Sequence, residues 1–228
     1  VWNAEKNEVP GHGSAEGARV LAVIESGGWI MLPLIFCSIV TAAITLERLW
    51  SLKRNRVLPQ HLLAQIWLWI KNDELTEERL DAIREGSPLG RILAVALIHW
   101  GEDLAEIKER MEDAGREATH ELYRYLNTLG TIAGISPLLG LLGTVIGIMR
   151  AFASIESHGA GDPRLLAGGV AQALITTAAG LTVAIPSLVA YRLLRGRADS
   201  LVLAMEQSAL RFVDSLRSRM RTPGGDAA

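Results

Sequence analysis

Three long runs without a charged side chain dominate the polarity pattern, over residues 26–46, 125–149 and 165–191. About 20 apolar residues cross a bilayer as a helix. Only helices and closed barrels satisfy their backbone in lipid, and these runs are far longer than barrel strands. The pattern predicts three transmembrane helices, over 26–46, 125–149 and 165–191. The intervening segment 47–124 reads as helical. "LPQHLLAQIWLWIKN" predicts an amphipathic helix starting near Pro59. "LTEERLDAIREG" predicts a second helix, with the look of a capping box at Thr76 and an end at Gly86. "SPLGRILAVALIHW" is apolar but too short, and too interrupted by Arg91, to span. From Glu102 to Arg124 charges recur at helical spacing, and no glycine or proline separates this run from the second span. One continuous helix is predicted there. After the third span, Leu194, Ala198, Leu201, Met205, Ala209, Phe212, Leu216 and Met220 recur every three or four residues. That stripe predicts a helix prolonging the third span and packed on its neighbours, in preference to one lying on lipid. The lead 1–25, with its turn-rich "PGHGSAEGA", reads as loosely ordered.

Charge orients these elements. Residues 47–124 hold twelve Lys and Arg and residues 192–228 hold seven, whereas 1–25 and 150–164 hold two each. Long loops count for little in the positive-inside rule, but the bias persists at the flanks. Arg48, Lys53, Arg54 and Arg56 follow the first span, and Arg192, Arg195 and Arg197 follow the third. The expected layout is a periplasmic segment 1–25, a cytoplasmic helical domain 47–124, a periplasmic loop 150–164 and a cytoplasmic tail 192–228. The N-terminus is then outside and the C-terminus in the cytoplasm. The lead is acidic and the first uncharged run is long, so that run is expected to be a membrane anchor and not a cleaved signal. Cys37 is the only cysteine, so no intrachain disulfide forms. A net charge of −2 argues against a nucleic-acid partner.

The residues point away from an enzyme. No Walker loop, nucleophile elbow or paired metal motif is present, and the five histidines are scattered. No catalytic residue, cofactor or metal ligand is expected. Ser136, before Pro137, is expected to bond helix backbone freed by the proline. Small residues recur instead. Gly130 and Gly134, then Gly140, Gly143 and Gly147 lie in the second span, and Gly169, Ala173 and Gly180 in the third. Small residues four apart let helices approach closely in lipid, so these positions are expected to pack helices. Thr144 in the second span, and Gln172, Thr176 and Thr177 in the third, are the polar groups at comparable depth. A glutamine has no local bonding solution in a helix and faces a partner or water. Together these four suggest a polar seam. Gln172 and Thr176 share a face, and Thr177 lies about 100° further round.

"SPLLGLLGTVIGIMRAF" followed by "AGGVAQALITTAAGLTVAIPSLVAYRLL" resembles the ExbB/TolQ/MotA family of bacterial proton channels. The three-span layout and "GGWIMLPLIFCSIVTAAITLERLWSLKR" resemble its ExbB/TolQ branch. The resemblance implies an all-α membrane protein with three transmembrane helices, two of them extended into a cytoplasmic helical region, assembled as a homo-oligomeric ring of five. It implies a pore lined by the second and third spans and occupied by an ExbD/TolR-like single-span protein that supplies a membrane aspartate. Proton flow would drive motion passed to a TonB- or TolA-like periplasm-spanning protein. Thr144 and Thr177 match the family's two pore threonines, and Thr176 and Gln172 are expected to line the pore with them. At position 172 the ExbB/TolQ branch typically carries glutamate, where this chain has Gln172; a glutamine bonds water or a carboxylate but does not titrate. No span then holds a carboxylate, and the acid must come from the partner. Two other readings stand beside this one: a non-conducting membrane scaffold and a sodium-driven relative. Arg150, at the outer end of the second span, is expected to snorkel to the interface.

Overall fold

The computed structural model describes residues 27–158 and 163–220. The lead 1–25, the centre of the 150–164 connection and the end of the chain lie outside those residues. The described residues are helical, without a strand among them: α1 (Met31–Ser51), α2 (Arg54–Val57), α3 (Leu62–Lys71), α4 (Glu77–Gly86), α5 (Pro88–Ile98), α6 (Leu104–Tyr123), α7 (Leu126–His158) and α8 (Pro163–Met220). Three helical stretches are long and apolar enough to cross a membrane, one at α1, one in the α6–α7 run and one in α8. The chain forms two compact units. One lies within Val1–Ala42 and Gly130–Leu188, the other within Ala43–Leu129 and Val189–Ala228.

The second unit is built around α5. Its sequence is apolar apart from Arg91, which pairs with Glu121 at its edge, and Leu89, Ile92, Leu93, Ala94, Ala96 and Leu97 are all buried. A helix hydrophobic over most of its circumference belongs in a core, and at 11 residues this one is too short to span. Ser87 caps it by accepting from the Gly90 amide at 3.0 Å, with Pro88 in the first turn. A Cβ at Gly90 would lie 2.1 Å from the Ile83 carbonyl oxygen, so only glycine permits this tight junction with α4. The stripe on α8 closes the same core. Leu194, Ala198, Leu201, Met205, Phe212 and Leu216 are buried, Ala209 is partly buried, and the Phe212 ring meets Trp67 of α3 at 5.4 Å. The side chain of Met220 lies outside the described residues. The stripe therefore packs on protein, as its spacing predicts.

Several expectations need correction. The α6–α7 run is not one continuous helix. It breaks at Arg124 and Tyr125, where Arg124 is extended (ψ 137°) and Tyr125 takes φ 63°. Left-handed backbone is uncommon for a bulky residue, and no glycine or proline announces it. The break is held by contacts from elsewhere in the unit. The Arg48 guanidinium lies 5.5 Å from the Tyr125 ring centroid and that of Arg124 lies 4.7 Å from it. Buried Arg48 also donates to the Glu121 carbonyl at 3.0 Å, which accepts from the Arg124 amide as well where α6 ends, and it pairs with Glu47. Arg48→Ala is expected to destabilise the protein by about 2 kcal/mol through loss of that charged hydrogen bond. Thermal unfolding in detergent measures it, and an unchanged midpoint would remove Arg48 from this role.

Smaller corrections concern helix starts. The amphipathic helix begins at Leu62, three residues after Pro59, because residues 60–61 form a turn. Thr76 occupies the N-cap position of α4 but makes no side-chain cap bond. A capping box needs Glu or Gln at the third helical position, and Arg79 stands there. Arg79 turns back to the Glu74 carboxylate and carbonyl and lies over the Trp69 ring. At the other end of the chain, α1 runs Met31–Ser51. It starts after a turn at Gly28 (φ 72°) and continues past the uncharged run as far as Ser51.

Candidate functional site

The first unit brings the small residues of α7 and α8 into backbone contact. A Cβ at Gly140 would lie 3.0 Å from the Thr176 carbonyl oxygen and 3.1 Å from the Thr177 Cα. One at Gly180 would lie 2.7 Å from the Ser136 carbonyl oxygen and 3.0 Å from the Gly140 Cα. Gly147 and Gly169 meet in the same way: a Cβ on either would lie 2.9 Å from the other's carbonyl oxygen. Ala173 is buried against Gly147. The contact follows one face of each helix, and the spacing of three and four residues keeps glycine or alanine on that face turn after turn. Gly134 does not join it in the same manner: it is exposed and a Cβ there would meet nothing within 4 Å.

The hydroxyls divide by what they touch. Thr176 is 1% exposed. A Cβ at Gly143 would sit 2.3 Å from its Oγ1, so the threonine fills the space that Gly143 leaves. It donates to the Ala173 carbonyl of its own helix at 2.8 Å. Thr177, one residue on, is half-buried and donates across the contact to the Gly140 carbonyl at 3.2 Å. Thr144 is half-buried and donates to the Leu141 carbonyl at 2.6 Å. Thr176 thus lies within the helix contact, and Thr144 and Thr177 are the two more exposed hydroxyls beside it. Ser136 is fully buried and donates to the Ile132 carbonyl at 2.8 Å. Pro137 deprives Ala133, not Ile132, of its amide partner, so the serine serves helix backbone but not the group the proline frees.

Gln172 sits elsewhere. The amide Nε2 of this half-buried residue lies 2.4 Å from where a Cβ of Gly28 would be, and an Arg150 guanidinium nitrogen lies 3.6 Å from the same point. The structure therefore gathers Gln172, Arg150 and the turn before α1 at one place. Gly28 is held there twice over, by its positive φ and by the glutamine above it. Sequence reasoning had no signal for this meeting, since Gly28 precedes Gln172 by more than a hundred residues. It also missed the Thr41–Ser187 hydrogen bond, 2.9 Å and buried, which ties α1 to α8. The signal available for that pair was only a hydroxyl in the first span and another after Pro186.

Comparison with known proteins places these elements in context. Residues 84–207, more than half of the chain, match the MotA/TolQ/ExbB proton channel family. The chain is 34% identical over 191 residues to the biopolymer transport protein exbB1 of Vibrio cholerae, covering 79% of this chain and 81% of that one. It is 43% identical over 86 residues to the Tol-Pal system protein TolQ of Haemophilus influenzae, 38% of this chain and 36% of that one. It is 39% identical over 101 residues to the biopolymer transport protein ExbB of Salmonella typhimurium, 42% and 41% respectively.

Proposed function

Since the chain belongs to the MotA/TolQ/ExbB proton channel family, in its ExbB/TolQ branch, we propose that it is the ring-forming subunit of an inner-membrane proton channel that turns proton-motive force into mechanical work. The observation that carries this reading is the uncharged α7–α8 contact, with Thr144 and Thr177 half-buried beside it and no carboxylate in any of the three uncharged runs. A charge near mid-membrane is expensive unless it finds polar neighbours. The two threonines supply such neighbours, and the titrating acid comes from an ExbD/TolR-like partner with one membrane helix and an aspartate on it. Thr176 seals the contact, and Gln172 serves as a neutral polar group beside Arg150.

In this reading five copies form the ring, the N-terminus faces the periplasm and the C-terminus the cytoplasm. The exposed apolar face of α7, with Leu138, Leu141 and Met149, is free to meet lipid or another chain. Each proton crossing releases roughly 2.3 kcal/mol per 100 mV, so several crossings drive a sizeable step. A TonB- or TolA-like protein passes that motion to the outer membrane.

Proteoliposomes test the proposal. The chain is reconstituted alone, with an aspartate-bearing single-span partner, and with that partner's aspartate changed to asparagine. Proton flux under an imposed potential is expected only with the aspartate. Flux from the chain alone would overturn the partner's role, and no flux in any arm would favour a scaffold. Flux that requires sodium would assign the other ion.

A further inference from the structure

The second unit carries a groove between the end of α1 and the middle of α8, with a volume of about 850 Å³. That lies within the ~300–1,000 Å³ of ligand-binding clefts. Three features define it. Lys53, Arg54 and Arg197 line it and are exposed, and none of them has a carboxylate within ion-pair distance among the described residues. Two acids close by in sequence are engaged elsewhere: Glu47 with Arg48, and Asp199 with the Tyr123 hydroxyl. Leu49 and Leu193 give the groove an apolar wall while being 41% and 64% exposed. Gly196 forms its floor, and a Cβ there would meet nothing within 4 Å.

These features describe an amphiphile with an anionic head. The cations lie within about eight residues of the ends of the uncharged runs of the first and third spans, near the level of phospholipid headgroups. Leucines exposed beside unpaired cations suit acyl chains next to a phosphate, which a free inorganic anion would not use. An exposed glycine inside a long helix costs about 1 kcal/mol relative to alanine, and this one relieves no contact among the described residues. It does open the groove down to the backbone. Next to the groove, the Arg56 guanidinium stacks on the exposed Trp50 ring at 3.4 Å, an arrangement suited to the membrane interface. We infer that this groove is a binding site for an anionic phospholipid, its phosphodiester held by Lys53, Arg54 and Arg197 and its chains against Leu49 and Leu193.

The full chain, purified in neutral detergent, is mixed with short-chain phosphatidylglycerol, with phosphatidylcholine of equal chain length, with glycerol 3-phosphate or with inorganic phosphate. Native mass spectrometry reads both retention and oligomeric mass. Phosphatidylglycerol is expected to be retained above the other three, and to weaken roughly fivefold for each of the three cations changed to glutamine. Gly196→Leu is expected to abolish the preference without any change of charge, because the new side chain occupies open space that the lipid needs. Lys108→Gln, a cation outside the groove, is expected to leave it intact. Retention unaffected by the groove variants overturns the site, as does equal weakening by Lys108→Gln. Binding of inorganic phosphate as strong as that of the lipid overturns the lipid as ligand. Variants that change the oligomeric mass along with retention assign the groove to a second copy of the chain and likewise overturn it.

Discussion

Replacing Gly180 with alanine is expected to destabilise the first unit by about 1–3 kcal/mol, the usual cost of forcing extra volume into a filled contact, and to abolish coupled function. The added Cβ would lie 2.7 Å from the Ser136 carbonyl oxygen and 3.0 Å from the Gly140 Cα. Both are backbone atoms of α7, so no side-chain rotation relieves the overlap and the helices must separate. Separation also lengthens the Thr177 hydrogen bond to Gly140, which crosses the same contact. Gly134→Ala is the matched control. It sits on the same helix as Gly140, is exposed, and has open space where its Cβ would go. There the substitution is expected to be neutral or to gain up to about 1 kcal/mol of helix propensity. Thermal unfolding in detergent and proton flux with the partner measure both variants. Equal behaviour of the two would sink the idea that the α7–α8 glycine contact holds this unit together.

The second large effect concerns chemistry. Thr177→Val keeps the branched shape and removes the one hydroxyl that bonds across the helices to Gly140. Hydrogen bonds between membrane helices average roughly 0.6 kcal/mol, so the fold and the assembly are expected to survive. Flux with the aspartate partner is expected to fall about tenfold or more, corresponding to at least ~1.4 kcal/mol on the barrier, because a charge crossing there loses a polar neighbour. Thr177→Ser restores the hydroxyl and is expected to restore flux. Thr176→Val is the comparison on the same turn. Thr176 is buried and bonds its own helix, so that change is expected to act on stability more than on flux. Normal flux in Thr177→Val would remove the residue from the conduction path.

Much of this was legible along the chain. Uncharged runs long enough to span, and a stripe of apolar residues after the third, follow from the cost of burying charge and from helical periodicity. Both are local properties, and the structure has helices at all these places. The glycine and alanine positions were legible as a class for the same reason. Which of them meet was not: Gly140 and Gly180 touch, while Gly134 stands open, and their sequence spacing alone does not distinguish them. Thr176 and Thr177 are neighbours of the same residue type, yet one fills the gap above Gly143 and the other reaches Gly140. The break at Tyr125 carried no signal at all. Its left-handed backbone is held by Arg48, which arrives from a different helix.

By itself the sequence determined what depends on composition and period: three helices long and apolar enough to span, further helices between the first two, the apolar stripe of α8, and the absence of any acid from the uncharged runs. Only the tertiary structure decided where the polar groups end up. It set Gln172 beside Arg150 and Gly28, joined Thr41 to Ser187, and left Lys53, Arg54 and Arg197 around one groove with no ion-pair partner among the described residues. The physical reason is that helix formation and membrane insertion are read from neighbouring residues. A contact between residues a hundred positions apart depends instead on how closely two backbones approach, and here glycines set that distance.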